Sequence, residues 1–269
     1  MTPAARIAAT IEILTEIGQA NAPADAVLTD WFRGHRFAGS RDRRAIRDGV
    51  YADLRAGALR RWQVAEAGGD PEDARARVIA GILHETPEDL CATFAGEGYG
   101  PPPLSPAEQA LSFAMRDPGA APDYASANCP EALYPMFESQ WGADTADELA
   151  AMNATAPVDL RVNKLVASRE HAQARLSADG YDATPTPLSP LGLRSGIRGS
   201  FQQLGAYREG MIEPQDESSQ LVAMLVDAAP RQRVIDYCAG AGGKALALAA
   251  ATDNRADITA CDVSGARLS

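Results

Sequence analysis

Val234-Ile235-Asp236-Tyr237-Cys238-Ala239-Gly240-Ala241-Gly242-Gly243-Lys244 decides how this chain is read. An aliphatic pair leads into a carboxylate, then into glycine and alanine, then into a small-residue stretch, Ala245 to Ala251, with helical character. Asp257-Ile258-Thr259-Ala260-Cys261-Asp262 follows as a second strand ending in an acid. Strand, glycine turn, helix, strand, acid is the beginning of a Rossmann-like α/β nucleotide site. The small residues of the turn let backbone approach a ligand where a larger side chain would block it. Two parallel strands cannot bury their own faces, and the sequence stops at Ser269. The Rossmann-like part is therefore expected to be incomplete, through truncation at the C-terminus.

Three ligands compete for the turn. A P-loop needs glycine where Cys238 stands and Ser or Thr where Ala245 stands, so that reading fails. The dinucleotide spacing G-x-G-x-x-A is met, with Asp262 about 20 residues on, but it recurs wherever a strand turns tightly into a helix. Charge separates it from the third ligand, S-adenosylmethionine. A pyrophosphate would be repelled by Asp236, whereas a cationic amine and sulfonium are attracted by it. The ligand's own carboxylate can use the amides at the helix start. Asp262 can accept from two ribose hydroxyls. Asp236 as a turn residue capping local amides, Asp262 as a solvated charge and Lys244 as a surface lysine are the alternatives.

The rest of the 269 residues bounds the class. Length suggests about two domains, and a hydrophobic content of 46% suits a protein with a core. The longest apolar run, Ala245 to Ala251, is far short of the ~20 residues that span a bilayer. Cys91, Cys129, Cys238 and Cys261 form no CxxC pair, and His35, His84 and His171 show no metal spacing. No metal is expected, and a reducing cytoplasm is the expected location. Net charge is −11. Yet Trp31 to Arg61 holds nine arginines against three aspartates, a net +6, which leaves −17 for the remainder. One basic surface on an acidic body fits RNA docking, and a solvated helix face with ordinary ion pairs is the alternative.

Residues 1 to about 120 read as helices. Ile7, Ile11, Leu14 and Ile17 recur at helical spacing; Ile46, Val50, Leu54 and Ala58 form another face. Asp70-Pro71 is expected to open a further helix that turns Val78, Ile79, Ile82 and Leu83 inward. Ser105-Pro106-Ala107-Glu108 is a capping box. Residues 117–122 read as a linker, and helices follow at Pro130 to Gln140 and Thr145 to Asn153, the latter with a Thr145-x-x-Glu148 box. Val158 to Val162 alternates, predicting a strand with one buried face. A helix from Ser168 to Asp179 closes on Gly180, and residues 181–210 are expected to hold short β segments. Asp216 is a plausible cap for a helix that buries Leu221, Val222, Leu225 and Val226.

At this point the residues resemble a known family. The stretch Val234 to Lys244 is similar to the cofactor motif of the Sun (Fmu) family of RNA cytosine-5 methyltransferases. Pro157-Val158-Asp159-Leu160-Arg161-Val162-Asn163-Lys164-Leu165 resembles the strand before its catalytic domain. Gln215-Asp216-Glu217-Ser218-Ser219-Gln220-Leu221-Val222 resembles the Gln-Asp-x-x-Ser-Gln segment ahead of the cofactor strand. Gly39-Ser40-Arg41-Asp42-Arg43-Arg44-Ala45-Ile46-Arg47 is similar to the NusB-like domain of bacterial members. Gly240-Ala241 replaces the usual Ala-Pro, and Ala245 the usual Thr.

The resemblance implies three domains: a NusB-like all-α RNA-binding bundle at 1–122, an α+β subdomain at 123–210, and the start of the methyltransferase domain at 211–269. It implies S-adenosylmethionine as cofactor, held by Asp236, Cys238, Ala239, Gly240, Ala241, Gly242, Gly243, Lys244 and Asp262. It implies RNA, in bacterial members ribosomal RNA, as partner, contacted by Arg36, Arg41, Arg43, Arg44 and Arg47. A monomer is expected. The reaction implied is methyl transfer to carbon 5 of cytosine. The family's catalytic cysteines lie beyond the motifs matched here, so no catalytic residue is assigned and these 269 residues are expected to be inactive by themselves. A non-catalytic RNA-binding module and an NAD-binding enzyme are the competing functions.

Overall fold

A computed structural model describes residues 1–117, 119–196 and 201–268, with the side chain of Ala266 left aside. Pro118 of the expected linker, residues 197–200 of the expected β-rich stretch and the terminal Ser269 lie outside the described residues. Two compact units divide the protein, Met1–Ala154 and Thr155–Ser269.

No described residue of the first unit is in a strand. Its helix α1 (Pro3–Gln19) starts on Thr2, whose hydroxyl accepts the Ala5 amide at 3.1 Å, with proline where no N–H is required. Helices α2 (Ala24–Gly34), α3 (Ser40–Arg55), α4 (Gly57–Glu66) and α5 (Ala74–Glu85) follow. Ile13, Leu14, Leu28, Trp31, Phe32, Ile46 and Val50 form one core, and Val64, Ile79, Phe94 and Met115 are part of a second. The backbone breaks at Ala56, so Ala58 belongs to α4 and not to the face of α3 on which it was expected. Helix α5 starts later than Asp70-Pro71 suggests: Asp73 is its cap, while Asp70 accepts the Glu72 amide in the preceding turn.

One carboxylate sits deep among these helices. Asp53, 1% exposed, accepts from Arg60 Nη1 at 3.0 Å and from Arg77 Nε at 3.1 Å. Arg60 continues to Glu85 Oε1 at 2.9 Å.

Short α6 (Leu90–Thr93) and α7 (Pro106–Ala114) come next. The capping box of α7 forms as expected: Ser105 Oγ accepts the Glu108 amide at 3.2 Å, and Glu108 Oε2 accepts the Ser105 amide at 2.7 Å. Glu108 also holds Arg75 Nε at 2.5 Å. That guanidinium first, and the Ser105 amide after it, pull the carboxyl from its ordinary 4.5 down to about 2. A depressed carboxylate adds stability that is complete above its unfolded pKa and is lost as pH falls through the folded one. The unit should therefore lose this contribution between about pH 4.5 and 2. Trp31, Trp62 and Trp141 are the protein's three tryptophans and all belong to this unit, so their fluorescence reports its unfolding. The melting midpoint of Glu108→Gln should fall less steeply across that window than that of the parent. Parallel slopes would contradict the assignment.

Helices α8 (Asp123–Ser126), α9 (Tyr134–Trp141) and α10 (Thr145–Asn153) complete the unit. They join it because Ala125 is buried, Asn128 Oδ1 accepts the Leu59 amide of α4 at 3.2 Å, and Asn153 Nδ2 donates to the Ala127 carbonyl at 3.1 Å. Helix α9 begins at Tyr134 and not at Pro130, because the backbone turns through the preceding residues. The box expected at Thr145 does not form. A 3₁₀ turn over Gly142–Asp144 runs into α10, so Thr145 is already helical and its hydroxyl donates to the Gly142 carbonyl at 2.7 Å.

The second unit opens on β1 (Val158–Val162), followed by α11 (Arg169–Ala178), β2 (Thr184–Pro185), β3 (Gly192–Ser195), α12 (Gly205–Arg208) and β4 (Ile212–Pro214). The antiparallel sheet has the order β2-β3-β1-β4. Ser168 caps α11 by accepting the His171 amide at 3.2 Å, and Gly180, at φ +74°, closes it as the sequence indicates. Strand β1 departs from its expected single buried face. Leu160 and Val162 pack with Leu176, Leu193 and Ile212, while Asp159 and Arg161 are buried as well. The polar face is covered because its charges are paired: Asp159 takes Arg194 through two 2.7 Å bonds, and Arg161 reaches Gln215 Oε1 at 2.6 Å and Glu213.

Helix α13 (Glu217–Leu225), β5 (Arg233–Asp236), α14 (Gly243–Ala251) and β6 (Asp257–Ala260) finish the fold. Strands β5 and β6 pair in parallel. Asp216 caps α13 as expected, accepting the Ser218 amide at 2.8 Å. Its inward face is not the expected one. Glu217, Gln220 and Ala223 are buried, whereas Val222, Leu225 and Val226 are exposed. Hydrogen bonding sets this rotation: Asp159 Oδ2 accepts the Glu217 amide at 3.0 Å, and Glu217 Oε1 accepts the amides of Leu188 and Ser189 at 2.8 and 2.7 Å.

Candidate cofactor site and basic surface

Strand β5 delivers Asp236 to the bend, and β6 delivers Asp262 beside it. The two strand ends are tied by backbone: the Cys261 amide donates to the Asp236 carbonyl and the Ala239 amide to the Cys261 carbonyl, both at 2.8 Å. Gly240 (φ +55°) and Gly242 (φ +83°) take left-handed backbone, which a side chain would strain, and Gly242 forms the N-cap of α14. Glycine has no side-chain cap to offer, so the amides of the first turn are left for a ligand. Ala239 is buried beneath the turn, Cys238 and Ala241 are exposed, and Gly240, Gly242, Gly243 and Lys244 are half-buried.

The two acids differ. Asp262 Oδ2 accepts the Gly240 amide and Oδ1 the Ser264 amide, both at 2.9 Å. Those amides, that of Ser264 foremost, hold its carboxyl below the usual range. It braces the bend in its ionised form, and each oxygen keeps a further lone pair. Asp236 Oδ2, in contrast, is buried and accepts no hydrogen bond from any described residue. A buried acceptor without a donor is costly, so this oxygen is the atom of the site most in need of a partner.

Sequence reading did not single out Gln215 for the site. Its Nε2 lies 3.5 Å from where a β-carbon on Gly243 would stand, and its Oε1 is held by Arg161. Gln220, almost wholly buried, ties the same turn by donating to the Gln215 carbonyl at 2.8 Å and accepting from Ser189 Oγ at 2.7 Å. The signal was present as the Gln-Asp-x-x-Ser-Gln spacing, in which Gln215 is held by the Arg161 side chain and Gln220 braces the Gln215 carbonyl.

In the helical unit, Arg36 lies in the loop before α3 and Arg41, Arg44 and Arg47 lie on α3, all four exposed. Arg43, half-buried on α3, reaches back to the preceding loop, and Arg47 shares the Phe32 ring with it, its guanidinium 5.9 Å from the ring centre. Arg43 Nε donates to the Ala38 carbonyl at 2.8 Å and its guanidinium lies over the Phe32 ring. Among the described residues no cluster of His, Cys, Asp or Glu is suited to a metal, and no helix is long and apolar enough to cross a membrane.

The description "methyltransferase RsmF/B-like, ferredoxin-like domain" matches residues 129–195. The sequence is 35% identical over 141 residues to a probable ribosomal RNA small subunit methyltransferase B of Synechocystis, 52% of this chain and 32% of that protein. It is 36% identical over 138 residues to the ribosomal RNA small subunit methyltransferase B of Pseudomonas putida, 51% of this chain and 31% of that one. The matched stretch thus spans about a third of the length of these relatives. In fold, the protein is similar over its whole length to 65% of the crystal structure of PH0851, with a TM-score of 0.70 at 21% identity. On these matches residues 129–195 are similar to the ferredoxin-like domain of RsmF/B-like methyltransferases, and about half of the chain is similar to part of the ribosomal RNA small subunit methyltransferases B.

Proposed function

We propose that the protein serves S-adenosylmethionine-dependent methyl transfer to carbon 5 of cytosine in RNA, ribosomal RNA in particular. The observation that carries this reading is the partnerless buried oxygen of Asp236 beside an uncapped helix start. That pairing suits a ligand with a cation for the carboxylate and a carboxylate for the amides. It does not suit a pyrophosphate, which would face Asp236 across the bend. The names of the relatives favour the same chemistry. In this reading β5, α14 and β6 begin a Rossmann-like methyltransferase domain, and residues 1–122 are a NusB-like RNA-binding bundle.

When bound, the cofactor supplies an electrophilic methyl group on a sulfonium. Asp236 would hold its amine, the amides from Gly243 onward its carboxylate, and Asp262 its ribose hydroxyls, with Cys238 to Lys244 forming the wall of the bend. Arg36, Arg41, Arg44 and Arg47 would neutralise RNA phosphates. None of the four cysteines is assigned as nucleophile. Burial pushes the Cys129 thiol up, away from the reactive thiolate. Equilibrium dialysis tests the ligand: labelled S-adenosylmethionine is expected to be retained by the protein and not to be displaced by excess NAD. Displacement by NAD, or retention of NAD alone, would overturn the assignment.

A further inference from the structure

We propose that Phe37 is a stacking platform for an unpaired RNA base, set at the edge of the arginine surface; this rests on the RNA reading above and specifies single-stranded RNA as what the surface takes. The ring is 69% exposed although it is apolar. The loop that carries it is held from several sides. The His35 amide donates to the Trp31 carbonyl at 3.0 Å, the Ala38 amide donates to the His35 carbonyl at 3.1 Å, and Arg43 clamps Ala38 and Phe32 from α3. Ala38 itself is buried. The rings form a graded series. Buried Trp31 stacks on His35 with centroids 3.8 Å apart, and His35 meets the Phe37 ring edge-on at 5.6 Å. Phe37 is thus backed by a ring on one side and open to water elsewhere.

An aromatic face held out by an ordered loop does nothing for the helical core, which is complete without it. Its neighbours in sequence decide the occupant. Arg36 precedes it, and Arg41, Arg44 and Arg47 follow on α3, all exposed; Asp48 lies 3.9 Å from Arg44. A flat exposed apolar ring flanked in sequence by several exposed arginines matches a polyanion that also presents π-faces, which is single-stranded nucleic acid. A duplex keeps its bases stacked on one another and offers the ring nothing.

The test is fluorescence anisotropy of the 269-residue protein with a single-stranded RNA and with a duplex of matching length, across a salt series. Phe37→Ala should weaken single-strand binding by about tenfold, the scale of one base–aromatic stack, and leave duplex binding unchanged. Its slope of log K against log salt should match the parent's, whereas Arg41→Gln should lose about 0.7 from the slope. Phe37→Trp should keep the affinity. Quenching of 2-aminopurine in the single strand should be lost in Phe37→Ala alone. Equal affinity of parent and Phe37→Ala for the single strand, with RNA still bound, overturns the platform and leaves the RNA reading standing. A parent protein that binds neither RNA overturns both.

Discussion

Asp236→Asn should reduce S-adenosylmethionine affinity about 50-fold, within the span of a hydrogen bond to a charged group. The substitution keeps size and shape. It removes the charge and turns an N–H₂ donor toward a position where the proposed ligand presents a cation. The bend should survive, because what ties Asp236 to β6 is its backbone carbonyl accepting the Cys261 amide. Since Oδ2 has no donor among the described residues, the empty site should be no less stable with asparagine there. Loss of affinity with retained or raised stability is therefore the expected pair, read by dialysis and thermal melting. Unchanged affinity would make Asp236 a turn residue, and lowered stability would mean that its carboxylate serves the fold.

Asp53→Ala should destabilise the helical unit by about 4 kcal/mol. Two guanidiniums, of Arg60 and Arg77, converge on that carboxylate in the interior, and their side chains are 10% and 5% exposed. Removing the acid leaves two positive charges facing each other out of water, which is worse than losing one attractive pair. Arg60 has little room to swing away on the α5 side, because its guanidinium already fills the space over Gly81, 2.6 Å from where a β-carbon would lie. A loss of this size is a large part of what holds a domain folded. Urea unfolding followed by tryptophan emission measures it in this unit alone. A change under about 1 kcal/mol would show that the arginines reach solvent once released.

Local chemistry was readable from the sequence and long-range pairing was not. The Ser105 box, the Asp216 cap, the closure at Gly180 and the glycine bend depend on residues a few positions apart, and their spacing announced them. Asp53 and Arg77 are 24 positions apart and Asp159 and Arg194 are 35 apart, so nothing local marks either pair. That is why β1 looked like a half-buried strand. Apolar spacing on α13 misled for a related reason: Glu217 and Gln220 are drawn inward by amides and hydroxyls contributed from other loops, and the aliphatic side chains turn outward as a result. Thr145 shows a smaller version, since a 3₁₀ turn ahead of it had no sequence mark. At the candidate site, both acids and the bend were legible as residues. The difference between them, one engaged by two amides and the other bare, belongs to three-dimensional geometry. On the helical unit the arginines could be listed from the sequence, but only the fold shows that Arg43 reaches from α3 to the Ala38 carbonyl.

Gln215 stands at a junction between the antiparallel sheet and the glycine bend. Arg161 fixes it from the inner strand β1, and its amide nitrogen rests against the first residue of α14. The sheet is thereby a footing for the bend and not a spectator to it. Drift in the register of β1 would tilt that footing and carry the loop along, so the two halves of this unit are free to vary only in step.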